Sequence, residues 1–139
     1  MEVLLVDDQA VTVQVYAATV RKTFIGARVH TAADLPDALQ IAAGRSLDLV
    51  LLDLTLPSCR GLEALERFHR ALPDVPVLVV SASEENDRAA ACIAAGARGF
   101  VAKTSALTQL PGAMRAVVAG ESYPLTCRPT ASPSTSLGT

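Results

Sequence analysis

The sequence predicts an α/β protein: five successive βα units folded as a doubly wound parallel sheet. Three observations carry this. Short apolar runs such as EVLLVDD and DLVLLDL are almost continuously hydrophobic, as strands buried on both faces are. Longer segments of helical character separate them, and regular β/α alternation implies a parallel sheet with helices on both faces. Four of the five runs also end in a group able to do chemistry: Asp7 with Asp8, then Asp53, Ser81 and Lys103. In open α/β sheets, function gathers at the carboxyl ends of the strands.

The elements follow in order. Strand one is expected over 2–7, and a helix over 10–24 carries Val11, Val15, Ala18 and Lys22 along it. Strand two is the short run 27–31. The helix over 34–44 has Asp34 as a candidate N-cap, Pro36 in its first turn and Gly44 at its end, each residue type suited to its position. Strand three spans 48–54, and the loop TLPSCRG leads to a helix at about 61–71 with Leu62, Leu65 and Phe68 on one face. Pro73 and Pro76 bracket the turn into strand four, 75–80; an alanine-rich helix at about 85–95 stops at Gly96. Strand five is 98–102, and the last helix, about 106–119, ends at Gly120. Right-handed crossovers leave few topologies. The flavodoxin-like order 2-1-3-4-5 sets strands one, three, four and five side by side.

Composition bounds the rest. With 139 residues, 50% hydrophobic, 19% charged and a net charge of -2, one soluble globular domain with a real core is expected. It should occupy residues 1–120, followed by a linker or tail over 121–139, where ESYPLTCRPTASPSTSLGT is rich in Pro, Ser and Thr and lacks apolar periodicity. The near-neutral balance offers no electrostatic footprint for nucleic acid. No apolar run approaches the ~18 residues of a membrane span. The chain opens straight into a strand with Glu2, so no signal peptide is expected and a cytoplasmic location is. Cys59, Cys92 and Cys127 are odd in number and widely spaced, which suits a reducing compartment rather than a disulfide framework or zinc site.

In the 2-1-3-4-5 order, strands ~4.8 Å apart bring Asp7, Asp8, Asp53, Ser81 and Lys103 to one edge. Carboxylates so close repel and raise one another's pKa. Lys103 relieves part of this, and a divalent cation would relieve the rest. All-oxygen ligands favour magnesium, which takes one or two carboxylates and keeps several waters. Taken singly, each residue has a commonplace reading: an Asp at a strand end is usually a cap or turn former, Ser81 a helix cap, Lys103 a solvated end. The joint pattern is what points to a site.

On these residues the chain resembles the receiver domain of two-component response regulators. LVDD resembles the family's acidic pair. DLTLPSCRGLEAL resembles its phosphoacceptor strand and loop, with Pro57 and Gly61 in the usual places. VLVVSAS carries the hydroxyl, and GARGFVAK the aromatic and the lysine. The match covers about residues 2–120; DLTLP, SAS, AGARGFVAK and AVVAGESY look most like the NarL-type (LuxR-type) branch.

The resemblance implies that Asp53 is the phosphoacceptor and that Asp8 ligates magnesium directly, with Asp7 assisting through water. The backbone carbonyl of Thr55 would complete the protein ligands. It implies that Ser81 bonds a phosphoryl oxygen, that Lys103 pairs with Asp53 or its phosphate, and that Phe100 is the aromatic that moves inward with Ser81. Thr55 and Ser83 would flank the site and influence hydrolysis. Thr104 stands where many receivers have a proline after the lysine, so the cis peptide of that position is not expected. The implied partners are a sensor histidine kinase and, as an option, a second copy of the chain. In that branch a helix-turn-helix DNA-binding domain follows a linker. Only linker-like residues follow here, so no DNA binding is expected of this chain alone and transcription control would run through that further domain. The alternative is a magnesium-dependent phosphohydrolase with an Asp nucleophile, a class that usually has a DxD motif and a cap insertion. A flavin or nucleotide module is disfavoured, because Gln9 and Ala10 rather than a glycine-rich loop follow the acids.

Overall fold

The computed structural model describes residues 1–57, 61–82 and 86–123, with 86–88 described by backbone alone. Cys59, Ser83, Cys127 and the tail beyond Tyr123 lie outside the described residues. The elements are β1 (Glu2–Val6), α1 (Ala10–Thr23), β2 (Arg28–Ala32), α2 (Leu35–Ala43), β3 (Leu49–Asp53), α3 (Leu62–Ala71), β4 (Val77–Ser81), α4 (Asn86–Ala94), β5 (Gly99–Ala102) and α5 (Ala106–Val118), with a 3-10 turn at Lys103–Ser105 before α5. All strand pairs are parallel, in the order β2-β1-β3-β4-β5. This is the flavodoxin-like order expected from the sequence.

Alternate residues of each strand feed two cores. Leu4, Val6, Val50, Leu52, Val77, Val79 and Phe100 face α2, α3 and α4. Val3, Leu5, Leu49, Leu51, Leu78, Val80 and Val101 face α1 and α5. β1, β3, β4 and β5 are apolar at nearly every position because both faces are covered; the edge strand β2, RVHTA, is not. Asp34 caps α2 as expected, its Oδ1 accepting from the Leu35 N–H at 2.8 Å.

Two expectations need correction, the start of strand four and the end of the domain, and helix α1 shows which of its faces is buried. Strand four starts at Val77, not residue 75, because Pro76 has no N–H for the ladder; its carbonyl still accepts from Val50 N–H at 3.0 Å. Ser81 is then the last residue of β4. On α1, the valines spaced four apart lie outward: Val11 is 75% exposed, while Tyr16, Ala17 and Val20 are buried. The helix has two apolar stripes, and the buried one begins at Val13. Lastly, residues 121–123 belong to the fold. Tyr123 bridges Gly99 in parallel along the outer edge of β5.

Candidate functional site

The acids reach one edge because β1 and β3 are neighbours, paired from Val3↔Leu49 to Val6↔Leu52. Asp7 and Asp53 each follow the last pair of that ladder, Val6↔Leu52. Both are buried, at 6% and 2% exposure, whereas Asp8 is exposed. Carboxylate oxygens of Asp7, Asp8 and Asp53 lie within 4.8 Å of one another, close enough to share one metal ion.

Lys103 closes the cluster from the 3-10 turn after β5. Its Nζ lies 3.2 Å from Asp7 Oδ2 and 3.3 Å from Asp53 Oδ2. Burial pulls the ammonium down, but the charges of Asp53 and Asp7 and its hydrogen bonds to them outweigh this, so its pKa is raised and it stays protonated. Asp7 is pushed above the ordinary range, first by burial and then by the Asp53 charge, against the pull of Gln9 N–H and Lys103.

Asp53 is held by further donors. Thr55 N–H donates to Asp53 Oδ1 at 3.1 Å, and the Thr55 hydroxyl lies 3.0 Å from Oδ1 and 3.1 Å from Oδ2. A hydroxyl has one proton, so these two contacts share it. The loop after Asp53 is tied back by Gly61, whose N–H donates to Leu54 carbonyl at 2.7 Å. Gly61 has φ +67° and ψ -150°, a conformation that glycine alone adopts without strain.

Ser81 is buried and stands one step beyond the Asp53↔Val80 pair of β3 and β4. Alternation puts it on the same face as Val77 and Val79, toward α3 and α4. Phe100 is buried in that core, opposite Val79, while Ser81 is opposite Ala102. Phe100 is thus two pairs behind Ser81, on the same face.

Two contributors escape the sequence reading. Gln9 N–H donates to Asp7 Oδ1 at 2.9 Å, and its Oε1 accepts from Lys103 at 3.4 Å and from the Thr12 hydroxyl at 3.2 Å. Its place directly after the acid pair was the available signal. Tyr16 lines a void of about 10 Å³ behind Asp7 and Asp53, and burial pushes its phenol pKa up; nothing in the sequence marks it beyond an ordinary core aromatic. On the solvent side, a groove of about 300 Å³ bounded by Ala10, Val13, Gln14, Thr31 and Ala33 opens onto Asp7 and Asp8. Three clustered carboxylates, one lysine and an open groove suit a divalent cation and an incoming anion bound through it.

Comparison with known proteins agrees. A family model described as "Response regulator receiver domain" matches residues 3–115. The "Glycerol metabolism activator" of Pseudomonas putida is 32% identical over 123 residues, 88% of this chain and 56% of that protein. The "Response regulator UvrY" of Escherichia coli is 31% identical over 124 residues, again 88% and 56%. Among solved structures, a two-component response regulator of the LuxR family from Aurantimonas sp. superposes with a TM-score of 0.80 at 27% identity, covering 93% of this chain and 94% of that one. The chain spans about half the length of the curated relatives it matches.

Proposed function

The chain belongs to the response regulator receiver domains, in their LuxR-type branch, and on that premise we propose that Asp53 accepts the phosphoryl group that controls it. The observation that carries this is the pairing of a buried Asp53 with Lys103 at 3.3 Å beside Asp7 and Asp8. An Asp53 oxygen attacks the phosphorus of a phosphohistidine in line. The P–O bond forms as the P–N bond breaks, and the imidazole leaves with the electron pair. The transition state is loose and spreads charge over the equatorial oxygens, so catalysis is positioning and electrostatics.

Lys103 holds one side of that charge. When Asp53 oxygen turns to phosphorus, the lysine needs to move little to meet a phosphoryl oxygen. Asp8, exposed toward the groove, and Asp7 with Asp53 suit magnesium, with the Thr55 carbonyl as a further ligand. Bound there, magnesium would supply positive charge beside the three carboxylates. Thr55 N–H and hydroxyl orient the Asp53 carboxylate, and Ser81 takes up a phosphoryl oxygen once the group is on.

Residues 1–120 form the receiver on this reading, with 121–123 on its sheet edge, and the remaining residues are a linker or tail. A sensor histidine kinase is the phosphodonor. In the whole protein a helix-turn-helix domain beyond the linker carries DNA binding, and phosphorylation changes contacts between receivers or with that domain. The chain alone does not bind duplex DNA. Described residues contain no helix long and apolar enough to cross a membrane, which accords with a cytoplasmic domain. Incubating the chain with magnesium and a small phosphodonor tests the reading by intact mass. One labile phosphoryl adduct supports it; steady turnover of phosphate esters with no adduct favours a phosphohydrolase.

A further inference from the structure

The chain does not leave the molecule at the end of α5. It turns back along the outer edge of β5, where Tyr123 N–H donates to Arg98 carbonyl at 2.9 Å and Phe100 N–H donates to Tyr123 carbonyl at 2.8 Å. Between these bonds lies Gly99. A Cβ on Gly99 would stand 2.7 Å from Leu78 Cδ1 and 3.0 Å from both Tyr123 carbonyl oxygen and Val117 Cγ2. Only the missing side chain lets the segment lie this close. The Tyr123 ring packs half-buried on the α1/α5 core.

Phe100 therefore has two attachments. Its ring is buried on the α3/α4 side, two pairs behind Ser81 on the same face. Its amide is the donor that holds Tyr123. We infer that residues 121–123 are a clasp that reads the phosphorylation site through Phe100 and sets where the following chain departs. This rests on the reading of Asp53 and Ser81 above. When Ser81 turns toward the phosphoryl oxygens, the Phe100 ring shifts into the space behind it. The peptide carrying that ring tilts, and its N–H swings off the Tyr123 carbonyl. The clasp yields before β4 does, because β4 holds β5 by a full ladder and the clasp holds it by two bonds. Coupling is reciprocal: if phosphorylation loosens the clasp, losing the clasp favours the phosphorylated arrangement.

Hydrogen exchange on the full chain tests this, with beryllofluoride and magnesium as the phosphoryl mimic. Exchange at the Phe100 and Tyr123 amides should rise by at least about tenfold when the mimic binds. Tyr123→Pro, which removes the N–H donated to Arg98, should bind beryllofluoride at least about fivefold more tightly than the parent, and Tyr123→Phe should match the parent. Bound-fluorine NMR signals report occupancy separately. If they are present and the two amides do not change, or the Tyr123→Pro affinity equals that of the parent, the clasp is overturned alone. If they never appear, the site reading falls and the clasp's coupling falls with it.

Discussion

β1 carries charge at both ends, and the two ends differ in kind. At its start Glu2 meets His30 Nε2 at 2.6 Å and Arg28 Nε at 3.8 Å, and its own N–H donates to Asp48 Oδ2 at 2.7 Å. Water reaches this group. The hydrogen bond from His30, then the charges of His30 and Arg28, hold Glu2 below the ordinary carboxylate value despite some cost of burial. Just past the other end, Asp7 is raised, chiefly by burial and then by Asp53. Both ends pair acids with a base. At the start each acid has its own donor, and charge is nearly balanced. At the far end, among the described residues, Asp7, Asp8 and Asp53 face one ammonium, that of Lys103. An ion pair that is satisfied is scaffolding; a buried cluster short of positive charge is a place where a cation and a phosphoryl group can bind.

The sharpest way to break this contrast is at Asp53. Asp53→Asn should lose the phosphoryl adduct altogether while circular dichroism and melting show the fold intact. A full-yield adduct in the variant would place the nucleophile elsewhere.

Lys103→Ala should come next. It leaves two buried carboxylates without their cation, a change that costs about 3 kcal/mol when a buried pair is broken. Urea unfolding without magnesium should show most of that loss, and added magnesium should return part of it. Equal stability of variant and parent in magnesium-free buffer would contradict the charge deficit.

With magnesium at a hundred times its dissociation constant, the parent should gain about 2.7 kcal/mol of stability by mass action. Asp8→Ala should lose this gain and accept phosphoryl more slowly from a small donor. Unchanged melting and unchanged rate would remove Asp8 from the metal site.

The two ends should also titrate with opposite sign. The folded pKa of Asp7 is above its unfolded value of 3.8. Its contribution is therefore present at low pH and is lost as pH rises through the folded value. Asp7→Asn should raise the melting temperature of the magnesium-free protein near neutrality and leave it unchanged below the unfolded pKa. Magnesium should cancel the advantage, since the ion binds the carboxylate form. Glu2 is lowered from 4.5, so its contribution is present above that value and is lost as pH falls through the folded one. Glu2→Gln should give the smallest effect of the set: no change in phosphorylation, and a melting curve altered only near that acidic window.

Much of this was legible beforehand, for a physical reason. Strands covered on both faces must be apolar almost throughout, so Asp53 and Ser81 stand out at the ends of LVLLD and VLVVS. The strand order then brings Asp7, Asp8, Asp53 and Lys103 together without knowledge of any contact. What was hidden depends on side-chain direction or on main-chain bonds. Helix α1 has two apolar stripes, and spacing alone does not tell that the one at Val11 and Val15 lies outward. Gln9 acts through hydrogen bonds to Asp7, Lys103 and Thr12 that no periodicity encodes. Tyr123 sits at the start of a Pro/Ser/Thr-rich stretch, and composition cannot reveal that its backbone completes a sheet edge.

The order of the strands also bears on synthesis. The central pair, β1 and β3, is complete once residue 53 has been made, and it already brings Asp7 and Asp53 together. Their ammonium arrives from residue 103, after the edge strand β5. A sheet assembled without β5 would set these two carboxylates side by side with no lysine to meet them. Domains emerge N-terminus first from the ribosome. The site's charge is therefore complete only when residue 103, beyond the edge strand, has joined the sheet.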